Sequence, residues 1–370
     1  MNVITENNVI PKLRFKGFSD EWNKVILGNL VNTISSGNSK CEESGLFDVY
    51  GSTGKIGVCS KYSHQGKYIL AARVGANAGL LNYVDGSFGV SGNTLVLDLN
   101  DDLSSTRFIF YSLLSFNLNR LVFGSGQPLI TGGQLKKLKL NLPGKAEQLK
   151  IASFINTVDK NIEQLKKKKN LLKEYKKGVM QRIFFQELRF KDDSGNSYPD
   201  WEEKKLGIIC KINKGVQFNK SLLSKTGKYP CINGGKEPSG YSDKFNSNPN
   251  TITISEGGNS CGFVNLIKLH FWSGGHCYKI EDIDESVDLL YLYYFLKFNQ
   301  KRIMILRQGS SLPGLPKKGL LNFIIKTPSF SEQRKIGLLI DSLNDKIELV
   351  NTQIENTKAL KKGLLQQMFV

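Results

Sequence analysis

Three residues near the middle of this 370-residue chain have the side chains of a metal-dependent nuclease. Asp200, Glu202 and Lys204 supply two carboxylates and a lysine. Nucleases of that kind take the first acid and the Glu-x-Lys pair from separate strands, whereas here all three stand in one short phrase. A related phrase occurs at 19–24. A structural element at the start of each domain explains both segments better than a catalytic site does.

Two glycine-rich turns imitate nucleotide-binding loops but lack what those loops need. Gly51–Lys55 is too short for a phosphate-binding P-loop and has no following Ser or Thr. After the turn at 123–126, Pro128 stands where a helix would have to start. His64 has no evident nucleophile or acid partner, and no Asn/Asp-Pro-Pro-aromatic tetrapeptide of methyltransferases occurs. The sequence therefore predicts no catalytic constellation.

The nearest approach to a metal site is the set Cys261, His270, His276 and Cys277, whose spacing fits no zinc pattern. We expect no metal here. The cysteines stand singly, without a Cys-x-x-Cys pair, and we expect them to be reduced. They are Cys41, Cys59, Cys210, Cys231, Cys261 and Cys277.

The formal net charge of +18 predicts a polyanionic partner, with nucleic acid first and an anionic membrane surface second. No apolar run reaches the length of a membrane span, so we expect no membrane insertion. The first residues also lack the charged start and apolar core of a signal peptide. A cytoplasmic location is the default expectation.

Two loops rich in glycine and serine, 124–129 and 308–315, each precede a lysine pair. Small residues let a backbone approach phosphate, glutamine can pair with adenine, and lysine or arginine contacts phosphate or guanine. The loops could instead simply turn the chain, and Arg73 could be structural. The counterpart of Arg73 is the acidic Glu256, so we expect two different base preferences. The candidate DNA-binding residues are Arg73, Ser125, Gly126, Gln127, Lys136, Lys137, Arg307, Gln308, Ser310, Ser311, Lys317 and Lys318.

Short strand-like runs broken by glycine must position these loops. Each set of runs is followed by a helical stretch rich in Phe, Tyr and Leu, and this mixture is typical of an α/β domain with a curved mixed sheet. The predicted strands are 67–74, 93–99, 251–255 and 276–280, and the predicted helices are 108–119 and 289–301.

Each of these two sets of strands and its aromatic helix forms a compact unit, here called a body, and one long helix follows each body. The apolar residues of the long helices recur at alternating steps of four and three, which is typical of a coiled coil. Ser329 and Glu332 predict a capping box at the start of the second helix. We expect the two helices to pair antiparallel after the chain folds back. The alternative is that each helix packs on its own body. The predicted seam is Ile151, Ile155, Val158, Ile162, Leu165 and Leu172 on the first helix, and Ile336, Ile340, Leu343, Ile347, Val350 and Ile354 on the second.

The whole chain is an internal duplication with a pseudo-twofold character. Residues 147–184 align with 332–369 without a gap, and Leu-Arg-Phe-Lys at 13–16 recurs at 188–191. The repeated helical segments match better than the two bodies that precede them. We therefore expect a shared scaffold that carries two domains with different base preferences. The predicted segments are a lead-in at 1–17, a first body at 18–143, a central helix at 144–186, a second body at 187–327 and a final helix at 328–370.

This arrangement resembles the specificity subunit of Type I restriction–modification enzymes. The resemblance rests on the Leu-Arg-Phe-Lys…Trp lead-in, the Gly-Ser-Gly-Gln-Pro-Leu loop, and helices that open with Pro…Glu-Gln-x-Lys-Ile and close with Lys-Lys-Gly…Gln…Phe. It covers essentially the whole chain. The second loop departs from the pattern, because Pro313 comes later in it and no residue matches Gln127.

The resemblance implies two target-recognition domains, each reading one half of a bipartite site in double-stranded DNA. The helices would set the gap and dock two methyltransferase subunits, and the assembly could recruit restriction-translocase subunits. S-adenosylmethionine, ATP and Mg would then bind those partners, with no cofactor on this chain. The rival hypotheses are a self-sufficient nuclease or methyltransferase, and a coiled-coil DNA-binding regulatory or bridging protein.

Overall fold

A computed structural model describes residues 10–123, 128–309 and 313–370. The chain forms two compact units. Unit 1 contains the residues up to Lys166 together with Thr352–Val370, and unit 2 is Lys167–Asn351. Both limits fall inside the long helices, so each unit contains one body, the start of the helix that follows it and the end of the other helix.

Unit 1 is built around a mixed sheet in the order β2-β7-β5-β6-β3-β4. Among the described ladders of this sheet, β3 and β6 pair parallel and the others pair antiparallel. Strand β1 pairs separately with β8. The strands are β1 (Asn23–Ile26), β2 (Val31–Ser36), β3 (Phe47–Gly51), β4 (Gly54–Cys59), β5 (His64–Ala72), β6 (Leu81–Val90), β7 (Thr94–Leu99) and β8 (Lys139–Leu142). The helices are α1 (Thr106–Phe116), α2 (Gly132–Lys136) and α3 (Lys145–Phe184), which continues into unit 2.

Unit 2 repeats this plan with shorter strands. Its order β10-β16-β13-β14 matches β2-β7-β5-β6, and the parallel pair β11–β15 matches β3–β6, so the counterpart of β6 is divided in two. The strands are β9 (Glu202–Lys205), β10 (Lys211–Lys214), β11 (Tyr229–Ile232), β12 (Tyr241–Ser242), β13 (Thr251–Ser255), β14 (Val264–Ile267), β15 (Trp272–Ser273), β16 (Cys277–Glu281) and β17 (Ile324–Thr327). The helices are α4 (Leu206–Ile209), α5 (Leu289–Phe298), α6 (Gln300–Ile305), α7 (Lys317–Leu321) and α8 (Phe330–Met368).

The aromatic helices α1 and α5 occupy equivalent places and begin at side-chain caps. Ser105 accepts a hydrogen bond from the third helical amide of α1, and Asp288 does the same for α5. The predicted helix 289–301 ends earlier than expected. The reason is Asn299, whose side-chain amide donates to the carbonyl of Phe295 at 2.9 Å and closes the last turn of α5.

Each core joins its body to both long helices. In unit 1 the buried residues of α1 pack with the first turns of α3 and the last turn of α8, and unit 2 is assembled in the same way from α5, the start of α8 and the end of α3. Burying a large apolar side chain contributes about 1.5–3 kcal/mol, so these contacts hold the helix ends firmly. The contributing residues are Phe108, Ile151, Ile155, Met368 and Phe369 in unit 1, and Phe295, Ile183, Phe184, Ile336 and Ile340 in unit 2.

Within unit 2 the two long helices run antiparallel, as the fold prediction required. Lys169 hydrogen-bonds Asn351, and Lys176 hydrogen-bonds Asn344, so moving forward on α3 means moving back on α8. The predicted seam is largely buried, and its first residues, Ile151, Ile155, Ile336 and Ile340, belong to the cores of the two bodies. Ile151, Ile155 and Ile162 are buried, Val158, Leu165 and Leu172 are half-buried, and Ile336, Ile340, Leu343, Ile347, Val350 and Ile354 are buried.

The predicted capping box at the start of α8 is wrong. The hydroxyl of Ser329 is buried without a hydrogen-bond partner in the part of the chain that the structure describes. The carboxylate of Glu332 instead accepts hydrogen bonds from Arg189 and Trp201. A tertiary ion pair therefore wins over the local cap, since it satisfies a buried carboxylate with charged and neutral donors.

Candidate nucleic-acid interface

The Glu-Gln step that opens each long helix fastens that helix to its lead-in. Arg14 donates to both carboxylate oxygens of Glu147 at 2.7 Å, and Arg189 donates to those of Glu332 at 3.2 and 2.8 Å. Both glutamates are buried. The carboxylates raise the pKa of Arg14 and of Arg189, mainly through these hydrogen bonds. The sequence showed these residues as repeats without revealing that they form pairs.

The glutamine of the same step fastens the body helix. The side-chain oxygen of Gln148 accepts from the amide of Ser105, and that of Gln333 accepts from the amide of Asp288, both at 2.9 Å. Since Ser105 and Asp288 cap α1 and α5, each glutamine ties a long helix to the cap of the body helix. The body thus has a fixed orientation on the helix that follows it.

A second fastening uses a tyrosine of the body helix. In unit 1, Tyr111 donates to Asp159 at 2.8 Å, and Lys361 forms an ion pair with Asp159 at 2.6 Å. The ammonium of Lys361 also lies 5.5 Å from the centre of the Tyr111 ring. This cluster joins α1, α3 and α8. Burial, followed by the interaction with Asp159, raises the pKa of Tyr111.

Unit 2 has a related cluster in which the acid and the amide have exchanged positions on the long helix. Lys176 lies 5.5 Å from the centre of the Tyr294 ring and bonds Asn344, where unit 1 has Asp159. Tyr294 donates to the nearby Asp341 at 2.7 Å. Burial lowers the pKa of Lys176, and Asp341 opposes that shift. The shared lysines near the ends of the sequence repeat therefore hold the helices to the bodies.

Arg73 lies beside the flanks of the first candidate loop. It follows β5, and its carbonyl accepts from the amide of Ile130 at 2.9 Å. The amide of Gly75 donates to the carbonyl of Pro128 at 2.9 Å, and Phe123 pairs with Leu129. The structure therefore brings Arg73 together with both ends of this loop. Ser125, Gly126 and Gln127 lie outside the described residues.

The second loop has the same backbone connections. The amide of Leu315 donates to the carbonyl of Glu256 at 2.7 Å, and the amide of Gly258 donates to that of Pro313 at 3.1 Å. Gln308 pairs with Gly314, so it corresponds to Phe123 of the first loop. Arg307 and Gln308 are exposed. Ser310 and Ser311 lie outside the described residues.

The lysine pairs stand on short helices after the loops. Lys136 and Lys137 are exposed at the end of α2, which begins with a capping box between Thr131 and Gln134. Lys317 and Lys318 are exposed in the first turn of α7. These positions allow contact with phosphate, and the structure places each pair directly after its loop.

The residues singled out for metal binding have other surroundings. His270 packs against Phe245 with ring centres 4.5 Å apart, and the thiol of Cys261 donates to the carbonyl of Glu256. Burial raises the pKa of Cys277 to about 11. Across residues 10–123, 128–309 and 313–370, no group of three or more His, Cys, Asp or Glu could hold a metal ion, and no helix is apolar over a membrane-spanning length.

A duplicated scaffold with different side chains at equivalent places defines a protein with two related binding units. The family model described as "Type I restriction modification DNA specificity domain" matches residues 19–174 and 198–358. The chain therefore belongs to this family, and the predicted fold of two α/β target-recognition domains with long antiparallel helices is confirmed.

Individual relatives agree with this family. A protein of Mycoplasma pneumoniae named as a type I specificity subunit is 31% identical over 176 residues, which are 47% of this chain and 47% of the relative. The match thus spans about half the length of that relative. One of Methanocaldococcus jannaschii, named as a type I restriction enzyme specificity subunit, is 28% identical over 74% of this chain and 69% of its own.

A solved structure shows the same fold. The crystal structure of a Type I restriction-modification S subunit from M. genitalium has a TM-score of 0.74 and covers 98% of this chain and 99% of its own. Its sequence is 21% identical, so the similarity concerns the fold.

Proposed function

We propose that this chain is the DNA-specificity subunit of a Type I restriction–modification complex. Each unit would read one half of a bipartite duplex site, and α3 and α8 would set the gap between the halves. The observation that carries this proposal is the pairing of matched backbone positions with opposite charges. The backbone carbonyls of Arg73 and Glu256 accept from equivalent amides, those of Ile130 and Leu315, yet one side chain is a cation and the other an anion.

The chemistry would belong to other subunits. Two methyltransferase subunits would dock on the two equivalent sets of long helices and bind S-adenosylmethionine, and restriction-translocase subunits would use ATP and Mg. This chain would supply recognition and no catalytic step. Duplex DNA and these partners would place it in the cytoplasm.

Phosphate contacts would provide much of the affinity. The net charge of +18 supports this, because each neutralised phosphate releases counterions and makes binding dependent on salt. Exposed lysines next to both loops, such as Lys136 and Lys317, are suitable donors.

Methylome sequencing tests the proposal. Cells with the gene for this chain should carry methylated adenine at a motif with two specified halves and an unspecified gap, and the motif should disappear when the gene is deleted. The purified chain alone should neither methylate nor cut DNA. A continuous motif without a gap, an unchanged methylome, or activity of the isolated chain would contradict the proposal.

A further inference from the structure

A cluster of charged side chains in unit 2 stands beside the second loop. The carboxylate of Glu256 forms an ion pair with Lys214 at 2.6 Å and lies 3.7 Å from the imidazole of His276. The hydroxyl of Tyr278 lies 3.4 Å from the same carboxylate and donates to the carbonyl of Leu315 at 3.0 Å. The cluster therefore touches the chain that leads out of the loop.

The cluster occupies the place of Arg73 in unit 1. The amide of Glu256 donates to the carbonyl of His276 at 2.9 Å, and the amide of Arg73 donates to that of Asn93 at 2.9 Å. Lys214 faces Tyr278 in its ladder as Ser36 faces Leu95. Arg73 itself reaches the hydroxyl of Ser36 at 3.3 Å. The pair Arg73–Ser36 in one unit is thus replaced by Glu256–Lys214 in the other.

The side chains of this cluster differ in their exposure to solvent. The side chains of Lys214 and His276 are 53% and 64% exposed, whereas that of Glu256 is 19% exposed. The two nitrogen donors therefore reach solvent, and the carboxylate stays behind them. A carboxylate in that position holds its partners in place while their donors face outward.

The backbone beneath the cluster is closely packed and fixed. A Cβ atom on Gly215, next to Lys214, would lie 2.3 Å from the carbonyl of Gly274. Gly234 has a φ of +82°, and a Cβ there would lie 2.6 Å from the carbonyl of His276. A larger residue would collide with backbone at both places, so the backbone that carries Lys214 and His276 is held in place before any ligand arrives.

We propose that Lys214 and His276, oriented by Glu256, bind acceptor atoms of duplex DNA in the half-site read by unit 2. This inference rests on the function proposed above. The acceptors are a phosphate oxygen or the O6 and N7 edge of a guanine. Glu256 is a positioning residue. In unit 1 the equivalent position is occupied by Arg73, without a lysine and histidine beside it at the matching positions.

The test is selection from a random duplex library by the full chain, together with its methyltransferase subunits, followed by affinity measurements at several salt concentrations. The variants are Lys214→Met, Lys214→Arg, His276→Asn, Glu256→Gln and the combination of Lys214→Met with Glu256→Gln. Lys211→Met is the matched control, because Lys211 lies on the same strand and pairs with the exposed Asp282 at 2.8 Å. Thermal unfolding is the control that establishes whether each variant is folded.

Lys214→Met should weaken binding about tenfold or more, and Lys214→Arg should retain most of the affinity. A loss shared by all sequences, with a shallower salt dependence, identifies a phosphate contact; a relaxed base at one position of the second half identifies a guanine contact. Glu256→Gln should weaken binding by less, and it should add little to Lys214→Met, as expected for residues that act together.

Binding by folded Lys214→Met and His276→Asn that equals binding by Lys211→Met would overturn the inference while leaving the proposed function intact. So would a change confined to the first half-site. If the wild-type complex selects no bipartite sequence at all, the proposed function fails first and this inference fails with it.

Discussion

Arg14 and Glu147 are 133 positions apart in the sequence and form a two-pronged ion pair in which the glutamate side chain is 2% exposed. Arg189 and Glu332 repeat the pair in unit 2. Replacing the arginine leaves a buried carboxylate without its charged partner. Such a loss costs about 3–5 kcal/mol, which is a large part of the stability of a domain.

We therefore expect Arg14→Met to destabilise unit 1 by about 3 kcal/mol or more. The measurement is chemical unfolding of the full chain, followed by hydrogen exchange to show which unit opens. Lys16→Met, a change at an exposed lysine of the same lead-in, is the control and should be nearly neutral. Equal stability of the two variants would show that the ion pair does not hold the lead-in.

The sequence could predict the repeated scaffold because its signals are local. Apolar spacing indicated the long helices, and short strand-like runs broken by glycine indicated β5 and β13. The sequence could not predict the fastenings. The pairs of Arg14 with Glu147 and of Tyr111 with Asp159 depend on which distant segments meet, and either glutamate or aspartate could have been a solvated helix residue.

The candidate site shows the same division. The position of Arg73 against Glu256 was visible from alignment of the repeats, and the matched backbone bonds support it. Lys214 and His276 were not singled out as DNA contacts, because Lys214 ends β10, His276 immediately precedes β16, and the two carry no shared motif. The capping box predicted at Ser329 is an error of the opposite kind. A local sequence signal predicted a contact that does not form, because Glu332 binds the distant Arg189 instead.

We expect Lys297 to make the stability of unit 2 depend on pH. Burial, and then the charges of Lys176 and Lys236, lower the pKa of Lys297 from 10.5 to about 8. Between these values the folded chain binds fewer protons than the unfolded chain, so the free energy of unfolding rises with pH through this window. Below pH 8 the full cost of the buried charge remains.

We expect Lys297→Met to remove this rise of the free energy of unfolding between pH 8 and 10.5, because methionine has no proton to release there. Unfolding experiments from pH 7 to 10.5 measure the difference between wild type and variant. Lys301→Met, at an exposed lysine of the adjoining helix α6, should keep the wild-type slope. An unchanged slope in Lys297→Met would rule out this origin.

Arg73→Met should affect only the half-site read by unit 1. A lost guanine contact costs about 1–3 kcal/mol, and a lost phosphate contact weakens all sequences alike. Selection from a random duplex library distinguishes these results. Lys55→Met is the control, since Lys55 is already paired with Asp48 at 2.7 Å. An altered preference in the second half-site would contradict the assignment of Arg73 to the first.

The proposal that α3 and α8 set the gap between half-sites predicts how the gap can be changed. Deleting 163–169 from α3 alone would shorten α3 while α8 keeps its length, so the Asp159–Lys361 contact before the deletion and the Lys176–Asn344 contact after it could no longer both form. Deleting 163–169 together with the equivalent 348–354 of α8 should leave the polar clusters within both units intact.

The paired deletion should shorten the methylated motif's gap by up to about 3 base pairs, because seven helical residues span about 10 Å and one base-pair step about 3.4 Å. Both half-sites should keep their sequences. The single deletion should instead lower stability and methylation without giving a new gap. Methylome sequencing of cells carrying each variant provides the measurement, and an unchanged gap in a stable paired deletion would show that the helices do not set it.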